Sequence, residues 1–159
     1  MDRQASERFM RLAADKARTG VRQGQTPFGA CLVKEGEVLA LAHNRVWSRT
    51  DITAHAEVTA IREACRKRGT IDLSETVLYS TCEPCPMCFA AAHWARIGTI
   101  VFGASIADAE RFGFRELSIP CEKLHRLGNS SIKLHGGFLR NECLEVFRAW
   151  SLRPDRRVY

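Results

Sequence analysis

The chain has 159 residues, of which 45% are hydrophobic and 26% charged, a composition that predicts one globular domain over residues 1–159. No apolar run reaches the roughly 18 residues that a membrane span needs, and the polar start Met1–Gln4 lacks the core of a signal peptide, so we expect a cytoplasmic protein with no membrane partner. The formal net charge of +6 permits nucleic-acid binding without indicating it.

The predicted elements alternate between helices and strands along the chain. Helical periodicity is found in four segments, residues 4–19, 54–68, 86–96 and 138–150. Gly20 is the expected end of the first helix. Short apolar segments predict strands at residues 28–34, 38–43, 77–80, 99–103 and 132–135. Residues 44–52 and 104–130 are predicted loops, the second with one helical turn near Asp108. This order indicates a three-layer α/β/α sandwich with a mixed five-stranded sheet.

The chain has seven cysteines, at positions 31, 65, 82, 85, 88, 121 and 143. Because the number is odd and a secretion signal is not found, metal binding is favoured over a disulfide framework. Cys31, Cys65, Cys121 and Cys143 are expected to be small buried hydrophobic residues. An iron–sulfur run through the Cys82–Cys88 cluster would need a further cysteine where Ala92 stands. Cys82 is therefore interpreted as a packing residue.

Two short motifs point to a zinc site. Thr53-Ala54-His55-Ala56-Glu57 and Pro84-Cys85-Pro86-Met87-Cys88 together form the H-x-E…P-C-x-x-C pattern that is typical of zinc-dependent base deaminases. One histidine and two cysteines suit tetrahedral zinc with an open fourth position. His55 and Glu57 can face one site only in the first turn of a helix. We therefore predict that zinc lies between two helix N-termini, whose dipoles favour thiolates.

Glu57 is the carboxylate in this pattern that does not bind the metal. Beside the open position, it is predicted to take a proton from zinc-bound water and to deliver it to a ring nitrogen and then to the departing amine. The alternative is a surface glutamate on a helix.

The chain resembles the cytidine-deaminase-like superfamily and, within it, is most similar to the small bacterial guanine deaminases. The resemblance covers residues 5–115 well and the last forty poorly. It is carried by Pro27–Ala30, His43–Val46, Thr53–Arg62 and Cys82–Cys88, and by Trp94-Ala95-Arg96 and Tyr159.

The resemblance implies that His55, Cys85 and Cys88 bind Zn²⁺ and that Glu57 shuttles protons. It also implies a purine pocket lined by Phe28, Asn44, Ala56, Trp94, Glu116 and Tyr159. Glu116, in Gly113-Phe114-Arg115-Glu116, stands where the family has an aspartate. As alternatives, Phe28 and Trp94 are plain core aromatics, Glu116 is a surface charge and Tyr159 is a disordered end.

The resemblance further implies a homodimer in which the tail, residues 151–159, is swapped or forms a lid over the partner's site. The expected reaction is hydrolysis of guanine to xanthine and ammonia by zinc-hydroxide attack at C2. Three classes of alternative stay open. One is a wobble-adenosine deaminase acting on tRNA, which the basic charge and the segment His135–Leu139 favour, and which Phe28, Cys82 and Glu116 disfavour. Another is a deaminase of guanosine, cytosine or a triazine such as ammeline. The last is an idle zinc-binding interaction module, against which the presence of Glu57 speaks.

Overall fold

A computed structural model describes residues 2–159. Within that range the helices are α1 (Arg3–Arg22), α2 (Val46–Arg49), α3 (Ala56–Arg68), α4 (Pro86–Trp94), α5 (Ile106–Arg111), α6 (Cys121–Leu127) and α7 (Arg140–Ser151). The strands are β1 (Gly29–Lys34), β2 (Glu37–His43), β3 (Val77–Cys82), β4 (Thr99–Ala104) and β5 (Lys133–His135). None of the helices within residues 2–159 combines the length and the hydropathy that crossing a bilayer would require.

The strands form one mixed sheet in the order β2-β1-β3-β4-β5. β1 runs antiparallel to both β2 and β3, whereas β3, β4 and β5 are parallel. Helices α1 and α7 pack on one face of the sheet, and α3 and α4 pack on the other. The predicted three-layer α/β/α sandwich with a mixed five-stranded sheet is therefore confirmed.

This topology brings distant parts of the chain to one edge of the sheet. Because β1 is antiparallel to β3, the start of β1 lies beside the end of β3, where Ala30 pairs with Ser80. β2 ends at the same edge, since His43 pairs with Gly29. β4 ends there too, because it is parallel to β3. The N-termini of α3 and α4 also lie at this edge, which is where ligands bind in open α/β sheets.

Gly20 does not end the first helix, as was expected from the sequence. α1 continues to Arg22, and Gln23 is its C-cap. Gly20 is buried against the ring of His43, and a Cβ atom at this position would lie 2.7 Å from His43 Nδ1. Glycine therefore allows the end of β2 to approach the helix closely, and it is not a stop signal here.

The two predicted loops contain helices that the local pattern did not reveal. α2 is a single turn in the segment 44–52, held by the backbone N–H of Ser48, which donates to Gln25 Oε1 at 3.2 Å.

α6 lies in the segment 104–130, and its N-cap residue, Pro120, makes no side-chain cap. The acceptor for its first N–H, that of Cys121, is Glu83 Oε1 at 2.8 Å. Both helices depend on contacts that are distant in sequence, and a local periodicity does not show them. The turn near Asp108 is α5, with a capping box between Ser105 and Asp108.

Candidate active site

His55, Cys85 and Cys88 meet at the N-termini of α3 and α4. His55 is the N-cap of α3 and Cys85 is the N-cap of α4, with Cys88 in the first turn after it. His55 Nδ1 lies 3.7 Å from Cys85 Sγ and 3.5 Å from Cys88 Sγ, and the two sulfur atoms are 3.6 Å apart. The three side chains are thus brought together at two helix N-termini.

The distances among these three atoms fit a tetrahedral zinc ion. With Zn–S bonds of about 2.3 Å and a Zn–N bond of about 2.1 Å, the edges of a tetrahedron are about 3.5–3.8 Å long. Among the histidine, cysteine and acidic residues within residues 2–159, these three have ligand atoms that lie close enough to one another to hold a metal ion. The donor set leaves a fourth position open, as in catalytic zinc sites.

The charges at the trio favour a metal cation. The hydrogen bond with Cys88 and, after it, the interactions with His55 outweigh the opposing effect of burial and together lower the pKa of the Cys85 thiol to about 4. The same hydrogen bond and burial raise the pKa of Cys88. Burial disfavours the charged form of His55, but Cys85 and Glu57 outweigh it and raise the pKa of that imidazole. A thiolate beside an imidazole is a ligand pair that zinc binds readily.

Glu57 lies directly behind the metal ligands. Its side chain is buried, Ser80 Oγ donates to Oε1 at 3.0 Å, and Oε2 is 3.5 Å from Cys88 Sγ. Burial raises the pKa of this carboxyl group, and His55 opposes the shift. A carboxyl group with a raised pKa next to an open metal position is suited to accepting and returning a proton.

A cavity of about 290 Å³ opens beside the metal ligands. Its wall includes His55, Cys85, Phe114, Glu116 and Tyr159. Burial raises the pKa of Glu116 to about 7, and the Cys85 thiolate adds to the shift. Glu116 is therefore a half-buried carboxylate that faces the metal site, and the surface-charge alternative does not describe it.

Of the other residues predicted to line a purine pocket, Phe28 reaches the inner space beside Glu57, whereas Asn44 and Ala56 are buried behind the wall of the cavity. The buried Asn44 accepts from Val46 N through Oδ1 at 3.1 Å and directs Nδ2 to the Tyr159 hydroxyl at 2.7 Å. Phe28 lines the space next to Glu57 and stacks edge-on against Phe114, with ring centroids 4.9 Å apart. Ala56 is fully buried as the first residue of α3.

Tyr159 lines this cavity in its own chain. Its ring lies 5.5 Å from the ring of His55 and 6.2 Å from that of Phe114. Burial raises the pKa of its hydroxyl, and the carboxylates of Glu57 and Glu116 act in the same direction. Two residues earlier, the Arg157 guanidinium lies over the Trp47 ring, 4.3 Å from its centroid.

Trp94 does not reach the cavity of its own chain. It lies at the C-terminal end of α4, and nine residues of helical rise place it about 13 Å along the axis from Cys85. Its side chain is 81% exposed and lines a larger groove of about 880 Å³ with Ile71, Asp72 and Arg96. That groove contains no member of the His55–Cys85–Cys88 trio, so the chemistry of the donors, and not the size of the cavity, identifies the site.

Sequence reasoning assigned no role to three residues around the site, Glu83, Phe114 and Trp47. Glu83 stands inside the cysteine motif, and Phe114 stands inside the Gly-Phe pair, so both were visible but unassigned. Trp47 lay in a segment that was predicted to be a loop. Cys82 is the last residue of β3 and is buried; Cys31, Cys121 and Cys143 are also buried, whereas Cys65 is half-buried.

Comparisons with known proteins agree with this geometry. The family described as "Cytidine and deoxycytidylate deaminase zinc-binding region" matches residues 3–104. The guanine deaminase of Bacillus subtilis (strain 168) is 39% identical over 154 residues, covering 96% of this chain and 98% of the relative. A tRNA-specific adenosine deaminase of Agrobacterium fabrum is 45% identical over 142 residues, covering 88% and 90%.

A solved structure of guanine deaminase from Nitrosomonas europaea has a TM-score of 0.84 at 28% identity, covering 91% of this chain and 84% of that one. The matched family region contains His55, Glu57, Cys85 and Cys88. The chain therefore belongs to the cytidine and deoxycytidylate deaminase family and is a zinc-type aminohydrolase.

Proposed function

We propose that the enzyme hydrolyses guanine to xanthine and ammonia. The observation that carries the proposal is the position of Glu116, whose half-buried carboxylate faces the same cavity as the metal ligands. Guanine presents ring N–H groups, and a carboxylate accepts hydrogen bonds from them. A base without these donors would leave the buried carboxylate unpaired, which disfavours its binding.

The chain's own residues account for the proton transfers. Zinc, when held by His55, Cys85 and Cys88, supplies the Lewis acidity that makes water a nucleophile at neutral pH. Glu57 would take a proton from the attacking water molecule as the oxygen of that water bonds to C2 of guanine. It would give this proton to the ring nitrogen, and it would then take the remaining proton from the new hydroxyl on C2 and pass it to the departing amino group. Ammonia leaves, and C2 keeps the new oxygen.

The other residues of the cavity hold the base and exclude water. Phe28 offers an apolar face next to Glu57, and Asn44 holds Tyr159 in place by donating from Nδ2 to the Tyr159 hydroxyl. Tyr159 forms part of the wall of the cavity, beside the ring of His55. A cavity of about 290 Å³ that is lined in part by the chain's own last residue suits a free base better than a nucleotide in a folded RNA.

The second candidate is deamination of adenosine in tRNA. It is favoured by the 45% identity to the tRNA-specific adenosine deaminase of Agrobacterium fabrum, which extends over most of both chains. If the enzyme acts on tRNA, the tail with Tyr159 would have to leave the cavity so that an anticodon loop can enter. Glu116 would then lie next to a base that has no ring N–H in its neutral form.

The experiment is ammonia release by the zinc-loaded protein with a panel of guanine, guanosine, cytosine, adenine, ammeline and a tRNA anticodon stem-loop. The proposal expects rapid turnover of guanine and an inert stem-loop. Turnover of the stem-loop alone would contradict it and would favour the second candidate. RNA retention that falls steeply with salt would add to that evidence.

The proposal extends to the assembly and location of the enzyme. We propose that the enzyme is a homodimer. In a homodimer, the exposed Trp94 of one copy can line the purine pocket of the other. The tails can also be exchanged between the two chains. The molar mass from light scattering tests this directly, and a monomer at micromolar concentration would contradict it. We also propose that the chain forms a single domain and that the enzyme acts in the cytoplasm.

A further inference from the structure

Glu83 lies next to the metal site, and the proposed function gives it no part. It follows β3 directly and lines the inner space of the site with Phe28, Glu57 and Glu116. Both of its carboxylate oxygens are occupied: Oε2 accepts from the backbone N–H of Ile106 at 3.1 Å, and Oε1 accepts from that of Cys121 at 2.8 Å. A carboxylate used in this way is a structural acceptor, and it is not free to bind metal or to carry protons.

The two N–H groups that Glu83 binds belong to the first residues of α5 and α6. The residues between these helices, 112–120, contain Glu116 and are called the reading loop below. Pro120 gives α6 no side-chain cap, so the Glu83 carboxylate satisfies an N–H that would otherwise lack an acceptor. The Cys121 thiol adds a contact by donating to the carbonyl oxygen of Pro84 at 3.1 Å.

Glu116 depends on the loop for its position. Among the hydrogen bonds of residues 2–159, none involves the Glu116 carboxylate. Phe114, two residues earlier, is anchored by ring contacts with Phe28 at 4.9 Å and Trp150 at 5.0 Å. After Glu116, the Ser118 hydroxyl donates to the exposed Glu110 at the end of α5, and the next attachment to the rest of the molecule is the start of α6 on Glu83.

We infer that Glu83 is a positioning residue that ties the reading loop to the strand leading into the zinc ligands. Only Pro84 separates Glu83 from Cys85 in the chain, so the same short segment carries a metal ligand and the anchor of the loop. The two hydrogen bonds that Glu83 accepts, called the clamp below, therefore fix the distance between the zinc ligands and Glu116. This distance decides whether one bound guanine can have its C2 next to the zinc ligands and its ring N–H groups on Glu116. This inference rests on the proposed function for the role of Glu116 as the reader of the base.

The test is Glu83→Gln, which replaces one oxygen by an NH₂ group that cannot accept from a backbone N–H. We expect the zinc content to stay unchanged and amide hydrogen exchange to become faster in peptides that cover 112–121, while peptides around 53–58 keep their protection. Because a misplaced contact near the reacting atoms lowers rates strongly, guanine kcat/KM should fall about tenfold. In a Glu116→Gln background, the same change should have little further effect.

Glu122→Gln is the matched control, since it makes the same chemical change on an exposed residue next to Cys121. It should leave both exchange and kcat/KM unchanged. If Glu83→Gln does not fold, Glu83→Asp keeps the charge, shortens the reach and is measured in the same way.

Unchanged exchange in 112–121 would overturn the clamp. An equal loss of kcat/KM with and without Glu116 would overturn its coupling to the base. If the wild-type enzyme does not turn over guanine, the proposed function fails, and the exchange result alone decides whether Glu83 holds the loop.

Discussion

The two sides of the active site are built in different ways. The metal side consists of residues at the starts of α3 and α4, next to the central strands, within two short motifs of the sequence. The base side consists of the reading loop, the end of β2 and the chain's last residue, which are separated by many positions in sequence. Under the proposed function, the reaction would depend on the starts of two helices, and the choice of substrate would depend on loops that other residues must hold.

This difference has a consequence for variation among relatives. A change in a loop or a tail alters the base side without disturbing the metal ligands. The similarity of this chain both to a guanine deaminase and to tRNA-specific adenosine deaminases fits that separation. Variants on the two sides should therefore fall into two groups, according to whether they affect the chemistry or the fit of the base.

The largest effect is expected for Glu57→Gln on the metal side. Without a carboxylate to move protons, kcat for guanine should fall by about 1,000-fold or more, while metal analysis still finds zinc at the wild-type level. Glu122→Gln, an exposed change of the same kind, should keep full activity. Wild-type turnover by Glu57→Gln would contradict the assigned mechanism.

The next effect is expected for Glu116→Gln on the base side. Loss of the charged acceptor should lower guanine kcat/KM by about 10- to 100-fold, the range for a hydrogen bond to a charged group. Zinc content should again be unchanged, and inductively coupled plasma mass spectrometry can measure it on the same sample. An unaltered rate would remove Glu116 from the site.

Gly20→Ala tests how far the base side depends on distant packing. In an exposed helix position this change would stabilise the protein by about 1 kcal/mol. Here the new Cβ atom would lie 2.7 Å from His43 Nδ1, which itself lies 2.6 Å from the carbonyl oxygen of Asn44. We expect a loss of about 1–3 kcal/mol in the free energy of unfolding, measured by urea denaturation.

The same variant should raise the KM for guanine, because Asn44 moves with His43, and should keep its zinc. Asp15→Ala, on the exposed side of the same helix, is the control for helix propensity. A Gly20→Ala protein more stable than the wild type would show that His43 can move aside without consequence.

The smallest effect is expected for Tyr159→Phe. It removes the hydroxyl that receives the Asn44 hydrogen bond and keeps the ring that lines the cavity. The KM for guanine should change about fivefold, as for one neutral hydrogen bond. Tyr79→Phe removes a buried hydroxyl that bonds to Ser6 far from the site, and it should leave the KM unchanged.

The same separation explains what could be predicted from the sequence. The meeting of His55, Cys85, Cys88 and Glu57 could be predicted because the spacing within each motif, together with the helical period, limits where the side chains can lie. The order of strands and helices was sufficient for the fold class. α6 and the clamp on it were not predicted, because the acceptor for the Cys121 N–H is Glu83, which is distant in sequence.

Trp94 and Gly20 show the limit of local patterns in another way. Resemblance assigned Trp94 to the purine pocket, but the length of α4 separates it from the cavity of its own chain. Gly20 was interpreted as a stop because glycine is common at helix ends. Its actual neighbour, His43, is known only once β2 is packed against α1.

The most direct test of the account is a turnover of guanine in water enriched in ¹⁸O, followed by mass spectrometry of the purine product and assay of ammonia. The account predicts xanthine that carries one ¹⁸O atom at C2, together with one ammonia for each xanthine. Absence of xanthine from the zinc-loaded enzyme, with conversion of adenosine to inosine in an anticodon stem-loop, would contradict it.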